Sequence, residues 1–412
     1  MLKIIPLGGL GEIGLNMMVF EYDQHIIAVD AGLMFPDDYM PGIDMVIPDF
    51  SYLTLNREKV RAIILTHGHE DHIGAMPFLQ KELNAPVYGT NFTIELLKAR
   101  LSEYELLENA QLNKVVPCDI SEIGPFKLEY IRVNHSIIDG VGLAIETPEG
   151  IVIHTGDFKI DHRPVDNYFT DLNRFSYYGG KNCLALLSDS TNVEREGYTL
   201  SESDVRDTLE NIFRHSEKRL IIAVFASNIA RIQQIINLAS QYGRKIALSG
   251  KSMRANTGIA VKQGLMNIPE DIEITERAMK NYPDHEVAVI TTGSQGEPMS
   301  SLTRMANGNH KDIVIKEGDT IILSSRFIPG NERAITSIIN SLYRRGAKVV
   351  YEKVSAIHSS GHAYQEELRL LINLVRPRYF IPVHGEYRHL VKHIELARST
   401  GIPLENTILA EH

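Results

Sequence analysis

One short stretch carries the strongest chemical signal in the chain. Leu65-Thr66-His67-Gly68-His69-Glu70-Asp71-His72 puts three imidazoles and an aspartate close together, with no thiolate among them. Nitrogen and oxygen donors of this kind suit borderline divalent metals. So many donors in so few residues imply two metals. In an irregular loop His67 and His69 can point the same way while Asp71 and His72 reach a second position, which a straight helix would not allow. The stretch follows Val60-Arg61-Ala62-Ile63-Ile64-Leu65, an apolar, β-branched run that reads as a buried strand. The donors therefore sit just beyond a strand's carboxyl end, where open sheets keep their active sites.

The elements that must position this loop are short. Strands are expected at Leu2 to Pro6, Met17 to Glu21, Ile26 to Ala31 and Val60 to Leu65, with helices at Ile73 to Leu83 and Thr93 to Leu101 around a strand at Ala85 to Gly89. Asp30, at the end of a buried strand, is placed to hydrogen-bond the donor loop from behind. Pro6-Leu7-Gly8-Gly9-Leu10-Gly11-Glu12-Ile13-Gly14 is glycine-rich, but no Lys-Ser/Thr follows it and a strand comes next. This excludes a nucleotide loop and leaves glycines that permit tight turns. Alternating strands and helices predict a layered α/β sandwich.

Composition bounds the function. With 412 residues, 43% hydrophobic and 23% charged, the chain has the balance of a soluble globular protein with ample core. Its apolar runs are too short for a membrane span, and no signal-peptide stretch opens it, so no membrane partner and a cytoplasmic location are expected. Cys118 and Cys183 have no C-x-x-C partner, which excludes a disulfide framework or a thiolate metal site. A formal net charge of −10 argues against a broad nucleic-acid surface, though a local basic channel is compatible with it.

Further candidates stand at later strand ends. Leu128 to Val133 leads into His135, Ile151 to Thr155 into Asp157, and Leu184 to Leu187 into Ser188-Asp189-Ser190-Thr191-Asn192. The chain then changes character. Leu220 to Ser227, Lys245 to Ser249, Val287 to Thr291 and Thr320 to Ser324 read as near-continuous apolar strands, with amphipathic helices at Asn228 to Tyr242 and Glu332 to Arg345. This pattern predicts an inserted α/β domain with a parallel sheet covered on both faces. Lys348 to Glu352 leads back to Ser359-Ser360-Gly361-His362 and to Val383-His384-Gly385-Glu386. The expected segments are 1–200, 201–350 and 351–412. Ser359, Ser360 and Gly361, ahead of a helix at Gln365 to Val375, and Ser227 and Asn228, ahead of another, could offer N–H groups and hydroxyls to phosphate; plain helix capping is the alternative. Arg254, Arg304, Arg326 and Arg333 receive no role.

The order HxHxDH, strand-His135, strand-Gly-Asp157 resembles the metallo-β-lactamase superfamily, with Asp30 matching its first acidic motif. Asp189, Ser-Gly-His362 and Val-His384-Gly-Glu, around an α/β insertion, resemble its β-CASP nucleases. Gly293-Ser294-Gln295-Gly296-Glu297-Pro298 and Phe225-Ala226-Ser227-Asn228 look specifically like the bacterial ribonuclease J family. The resemblance implies an αββα sandwich with an inserted β-CASP α/β domain. It also implies His135 as completing one metal site, His384 as the last ligand of the other, Asp157 as shared, and His362 beside the reacting phosphate. Family members usually continue into a carboxy-terminal domain involved in assembly, whereas this sequence stops at His412, so a homodimer is expected and the family's full oligomer is not.

The expected centre thus has His67, His69 and His135 on one ion and Asp71, His72 and His384 on the other, with Asp157 shared. Zn2+ is the default and Mn2+ compatible. Asp71 and Asp157 serve in catalysis through the ions, and His362, tuned by Asp189, through proton transfer or charge on the phosphate. The expected activity is hydrolysis of RNA phosphodiesters, 5′→3′ from a 5′-monophosphate end with internal cuts besides, in RNA processing and decay. A small-molecule metallohydrolase would share HxHxDH but not need the insertion. An inactive RNA-binding β-CASP subunit would typically lack ligands that are present here.

Overall fold

The computed structural model describes residues 1–36, 40–297, 299–325, 331–351 and 355–411. Pro298, Arg326, Glu352 and His412 lie outside them. Two compact units are present. One comprises Met1–Ile160, Phe169–Thr199 and Gly361–His412; the other comprises Asp161–Tyr168 and Leu200–Ser360.

The first unit holds two six-stranded sheets. The first runs, edge to edge, Leu2–Gly8, Met17–Tyr22, His25–Val29, Val60–Ile64, Val87–Thr90 and Leu112–Val115. Its first three strands pair antiparallel, as hairpin-length connections allow, and its last four are parallel. The second runs Tyr379–Val383, Ala185–Asp189, Gly150–His154, Val141–Thr147, Phe126–Arg132 and Ile120–Ile123.

Side-chain alternation decides what each sheet packs against. Ile27, Val29, Ala62 and Ile64 of the first sheet share a core with Leu128, Leu143, Val152, Leu187 and Ile381 of the second. Their neighbours Ile26, Ala28 and Ile63 face the other way, onto Leu79 and Leu97 of the helices Met76–Leu83 and Asn91–Glu103. The outer face of the second sheet meets Phe175, Leu371 and Ala397, from the helices Leu172–Gly179, Gln365–Val375 and Tyr387–Ser399. The order of layers is therefore α, β, β, α.

The second unit is built on a six-stranded parallel sheet, ordered Glu273–Ile274, Lys245–Ser249, Val287–Thr291, Leu220–Ala223, Thr320–Leu323 and Lys348–Val350. Its central strands are buried along their whole length, which is why they read as continuous apolar runs. Ile221, Val289, Ile321 and Leu323 pack on Leu302, Met305, Ile335 and Leu342. Asp161 explains why this unit begins earlier than residue 201. Its carboxylate accepts from Ser201 Oγ at 2.7 Å and Glu202 N at 2.9 Å, tying Asp161–Tyr168 into the insertion. The far boundary also moves, to Gly361, because Ser359 Oγ donates to Leu200 O.

The donor loop differs from expectation. It is irregular only as far as His69, which caps a one-turn helix, Glu70–Ile73, so Asp71 and His72 lie on helical backbone. A separate helix, Met76–Leu83, starts after Gly74 and Ala75, with Pro77 in its first turn. Among the described residues no helix is long and apolar enough to cross a membrane.

Candidate metal centre

The site is assembled at strand ends of the first unit. The strand His25–Val29 ends in Asp30, whose φ of 62° lies in the left-handed region. That backbone is uncommon for a side chain larger than glycine and is tolerated by aspartate. It turns the carboxylate onto the donor loop. Oδ1 accepts from Thr66 N at 2.8 Å, and Oδ2 accepts from Thr66 Oγ1 and His72 Nδ1, each at 2.8 Å. His72 is thereby fixed with Nε2 directed to Asp157 Oδ2 at 3.3 Å and Asp71 Oδ2 at 3.7 Å.

Asp71 is placed by contact between backbones. A Cβ on Gly32 would stand 1.6 Å from the Asp71 carbonyl oxygen, so only glycine allows the two segments to lie this close. The same carbonyl accepts from Asn16 N at 3.2 Å and Asn16 Nδ2 at 3.0 Å.

Three imidazole nitrogens converge beside this group. His67 Nε2 and His135 Nε2 each lie 3.1 Å from His69 Nδ1. A tetrahedral ion with nitrogens at about 2.0 Å has ligand–ligand edges of roughly 3.3 Å, so the spacing fits one shared ion. His135 is oriented by donating from Nδ1 to Gly361 O at 2.7 Å. Asp157 Oδ2 lies 3.7 Å from both His67 Nε2 and His135 Nε2, and is the atom common to both halves of the centre. The second half contains Asp71, His72, Asp157 and His384. His384, also left-handed at φ 54°, meets Asp71 Oδ2 through Nε2 at 3.3 Å and is held at Nδ1 by Thr191 Oγ1 at 2.6 Å.

The remaining pair stands next to these donors. His362 Nδ1 donates to Asp189 Oδ2 at 2.8 Å, while Asp189 Oδ1 accepts from Thr191 N and Oγ1. Asp157, Asp189, His362 and His384 form a third potential donor group.

Electrostatics divides the histidines. Burial strips water from His67, His69 and His135 and lowers their pKa values, that of His69 to about 4, so each is a neutral imidazole with a lone pair to give. Burial also works to lower His72, His362 and His384, but nearby carboxylates outweigh it. Asp157 with Asp71 and Asp30 raises His72, Asp189 with Asp157 raises His362, and Asp157 with Asp189 and Asp71 raises His384 to about 10. For Asp71, Asp157 and Asp189, burial works upward and the histidines, chiefly His72, His384 and His362, hold the values well below the usual range. Neutral imidazoles on one side and carboxylates gathering protons on the other suit a pair of divalent cations.

The proposed phosphate contacts look different. Tyr364 N donates to Glu367, Gln365 N to Arg195 O and Glu366 N to Gly197 O, so the start of the Gln365–Val375 helix has protein acceptors in place of an anion. Asn228 Oδ1 caps its own helix by accepting from Arg231 N at 3.0 Å, and Ser359 Oγ is engaged with Leu200 O. Ser227, Asn228, Ser359 and Ser360 belong to the second unit, Gly361 and His362 to the first. Asn16, Thr66, Thr191 and buried His154 are site residues the sequence reading missed. Thr66 and Thr191 at least stand beside recognised acids and ligands, whereas Asn16 is brought in only by the fold.

Comparison with known proteins places the chain. Residues 11–211 match the metallo-beta-lactamase superfamily, 217–342 the family described as ribonuclease J, beta-CASP domain, and 346–408 the Zn-dependent metallo-hydrolase RNA specificity domain. The chain is 47% identical to ribonuclease J of Helicobacter pylori (strain B128) over 99% of its own length and 59% of that protein's. It is 45% identical to ribonuclease J2 of Bacillus subtilis, covering 99% of this chain and 74% of that one, and 44% identical to ribonuclease J of Thermus thermophilus, covering 100% and 73%. The chain thus spans about three fifths of the Helicobacter pylori relative. A solved protein of unknown function from Enterococcus faecalis V583 has the same fold, with a TM-score of 0.69 at 17% identity, over 100% of this chain and 98% of that one. On the identity and coverage shared with the Bacillus and Thermus proteins, the chain belongs to the ribonuclease J family.

Proposed function

We propose that this protein is a metal-dependent ribonuclease that hydrolyses RNA phosphodiester bonds. The observation that carries the reading is the convergence of His67, His69 and His135 on one point, beside Asp71, His72, Asp157 and His384. In this reading the first three would hold one ion and Asp71, His72 and His384 the other, with Asp157 available to both. Two divalent ions, when bound, supply positive charge beside a phosphodiester and acidify water there; Zn2+ fits the imidazoles and Mn2+ the mixed donors.

The chain's own residues do the rest. Asp30 fixes the ring of His72 and Thr191 that of His384. Asp189 keeps His362 oriented and, with Asp157, raises its pKa, which favours the protonated ring that can hand a proton to the departing ribose oxygen. The stretch Ser359–His362 receives a terminal 5′-monophosphate, which gives 5′→3′ removal of mononucleotides, while strands that bypass it are cut internally. Since the starting N–H groups of the neighbouring helix are occupied, Ser360, Gly361 and His362 carry this anchor. Action in cytoplasmic RNA processing and decay, as a homodimer, completes the reading.

The test uses end-labelled RNA carrying 5′-monophosphate, 5′-triphosphate or 5′-hydroxyl. The expected wild-type result is mononucleotide release from the monophosphate substrate, with internal cuts in all three. Ser360→Val should depress the release and spare the internal cuts. Unaltered monophosphate preference in Ser360→Val would move the anchor elsewhere, and no cleavage of any RNA would remove the ribonuclease reading.

A further inference from the structure

We propose that Arg231 is a positioning residue for the 5′-phosphate anchor; this rests on the anchor reading given above. Arg231 is fully buried, in the first turn of the helix Ile229–Gln241 of the inserted unit. Its Nε and Nη2 both donate to one oxygen of Glu202, at 3.2 and 2.5 Å. That leaves Nη1, which donates to Ser324 Oγ at 2.6 Å and to the Ile357 carbonyl at 3.0 Å. Ser324 Oγ donates to the same carbonyl at 2.7 Å. The Ile357 peptide is therefore held by two donors, one of them charged, and two residues later Ser359 Oγ is fastened to Leu200 O. The backbone that delivers Ser360 is pinned on its approach.

Stability alone accounts poorly for such an arrangement. A buried ion pair is often no more stabilising than apolar side chains of similar volume. A planar guanidinium has a property those lack, since its donors leave in fixed directions. Here they link the capped start of one helix, through Asn228 Oδ1 on Arg231 N, to the segment 357–360. A lysine carries all its donors on one nitrogen and lacks this fixed fork.

The experiment measures KM and kcat of the full chain on a short 5′-monophosphorylated RNA and on its 5′-hydroxyl counterpart. Ser324→Ala removes one of the two donors to Ile357 and leaves the ion pair intact. Its expected effect is a rise of about three- to ten-fold in KM for the monophosphate substrate, with kcat and 5′-hydroxyl cleavage unchanged. The double replacement Arg231→Met with Glu202→Leu keeps the volume apolar and should raise the same KM further, at a thermal midpoint near wild type. If both variants are folded and keep the wild-type ratio of the two KM values, Arg231 has no positioning role. If the wild type itself does not distinguish the two RNAs, the anchor reading fails and this proposal with it. A wild-type preference lost in Ser360→Val but intact in both of the other variants overturns the positioning role alone.

Discussion

Buried charge is handled differently at the candidate metal centre and in the inserted unit. In the inserted unit Arg231 has Glu202, Arg219 lies on Asp319 at 2.5 and 3.0 Å while reaching the Val314 carbonyl, and Arg244 is held by the carbonyls of Ser216, Lys218 and Val287. These accounts close within the chain. In the first unit Asp30, Asp71, Asp157 and Asp189 gather around imidazoles alone, and no lysine or arginine pairs with them among the ion pairs of the described residues. The difference teaches where to look for function: balanced buried charge braces a fold, whereas buried charge left for something external to balance marks a site.

The largest expected effect breaks the unbalanced side. His384→Ala removes a donor common to two of the three donor groups, and RNA cleavage should fall by at least about 10²- to 10³-fold, the scale of losing a strong electrostatic contact in a transition state. Elemental analysis should show metal content falling from near two ions per chain; full content with full activity would contradict the ligand assignment.

Next comes the balanced side. Asp319→Ala leaves buried Arg219 with only the more distant carboxylate of Asp284, at 4.0 Å, and should destabilise the inserted unit by up to about 3–5 kcal/mol, read by denaturant unfolding. Changing both residues to apolar ones of similar size should recover most of that loss. If the single and double variants melt alike, the pair is not the brace described.

A smaller effect follows behind the ligands. Asp30→Asn keeps the shape but weakens the orientation of His72, and metal affinity should drop about 10- to 100-fold, measured by competition with a chelator.

Proton linkage gives the finest probe. Without metal, His384 keeps its proton up to about pH 10. An ion must displace that proton, so binding at neutral pH should release protons and affinity should rise with pH. Calorimetric titrations in two buffers of different ionisation enthalpy read the release directly. Proton uptake would reverse the assignment of charge.

Legibility in the sequence followed how local each cause is. HxHxDH, Asp30 and Asp189 stand out because donors or acids directly follow apolar strands. The inserted sheet is readable because its strands are buried on both faces. The strand Val141–Thr147 and the helix Tyr387–Ser399 are not among the elements read from the sequence. Nor is the helix Glu202–His215, although its Ser201/Asp204 capping box is a local signal. Asn16 was out of reach, since its bond to Asp71 spans 55 positions and depends on sheet order. The occupancy of the helix starts was hidden for a related reason: whether a helix's first N–H groups are open depends on segments such as Arg195 and Gly197, remote in sequence from Gln365.

The contact of Gly32 with the Asp71 carbonyl has a consequence for how this protein tolerates change. A residue with no side chain, donating nothing to any ion, acts as a spacer gauge between the strand that carries Asp30 and the turn that carries Asp71 and His72. In a saturation screen scored on RNA cleavage, position 32 should be as intolerant as the ligands themselves, with alanine already failing. Exposed neighbours such as Phe35 should accept many replacements.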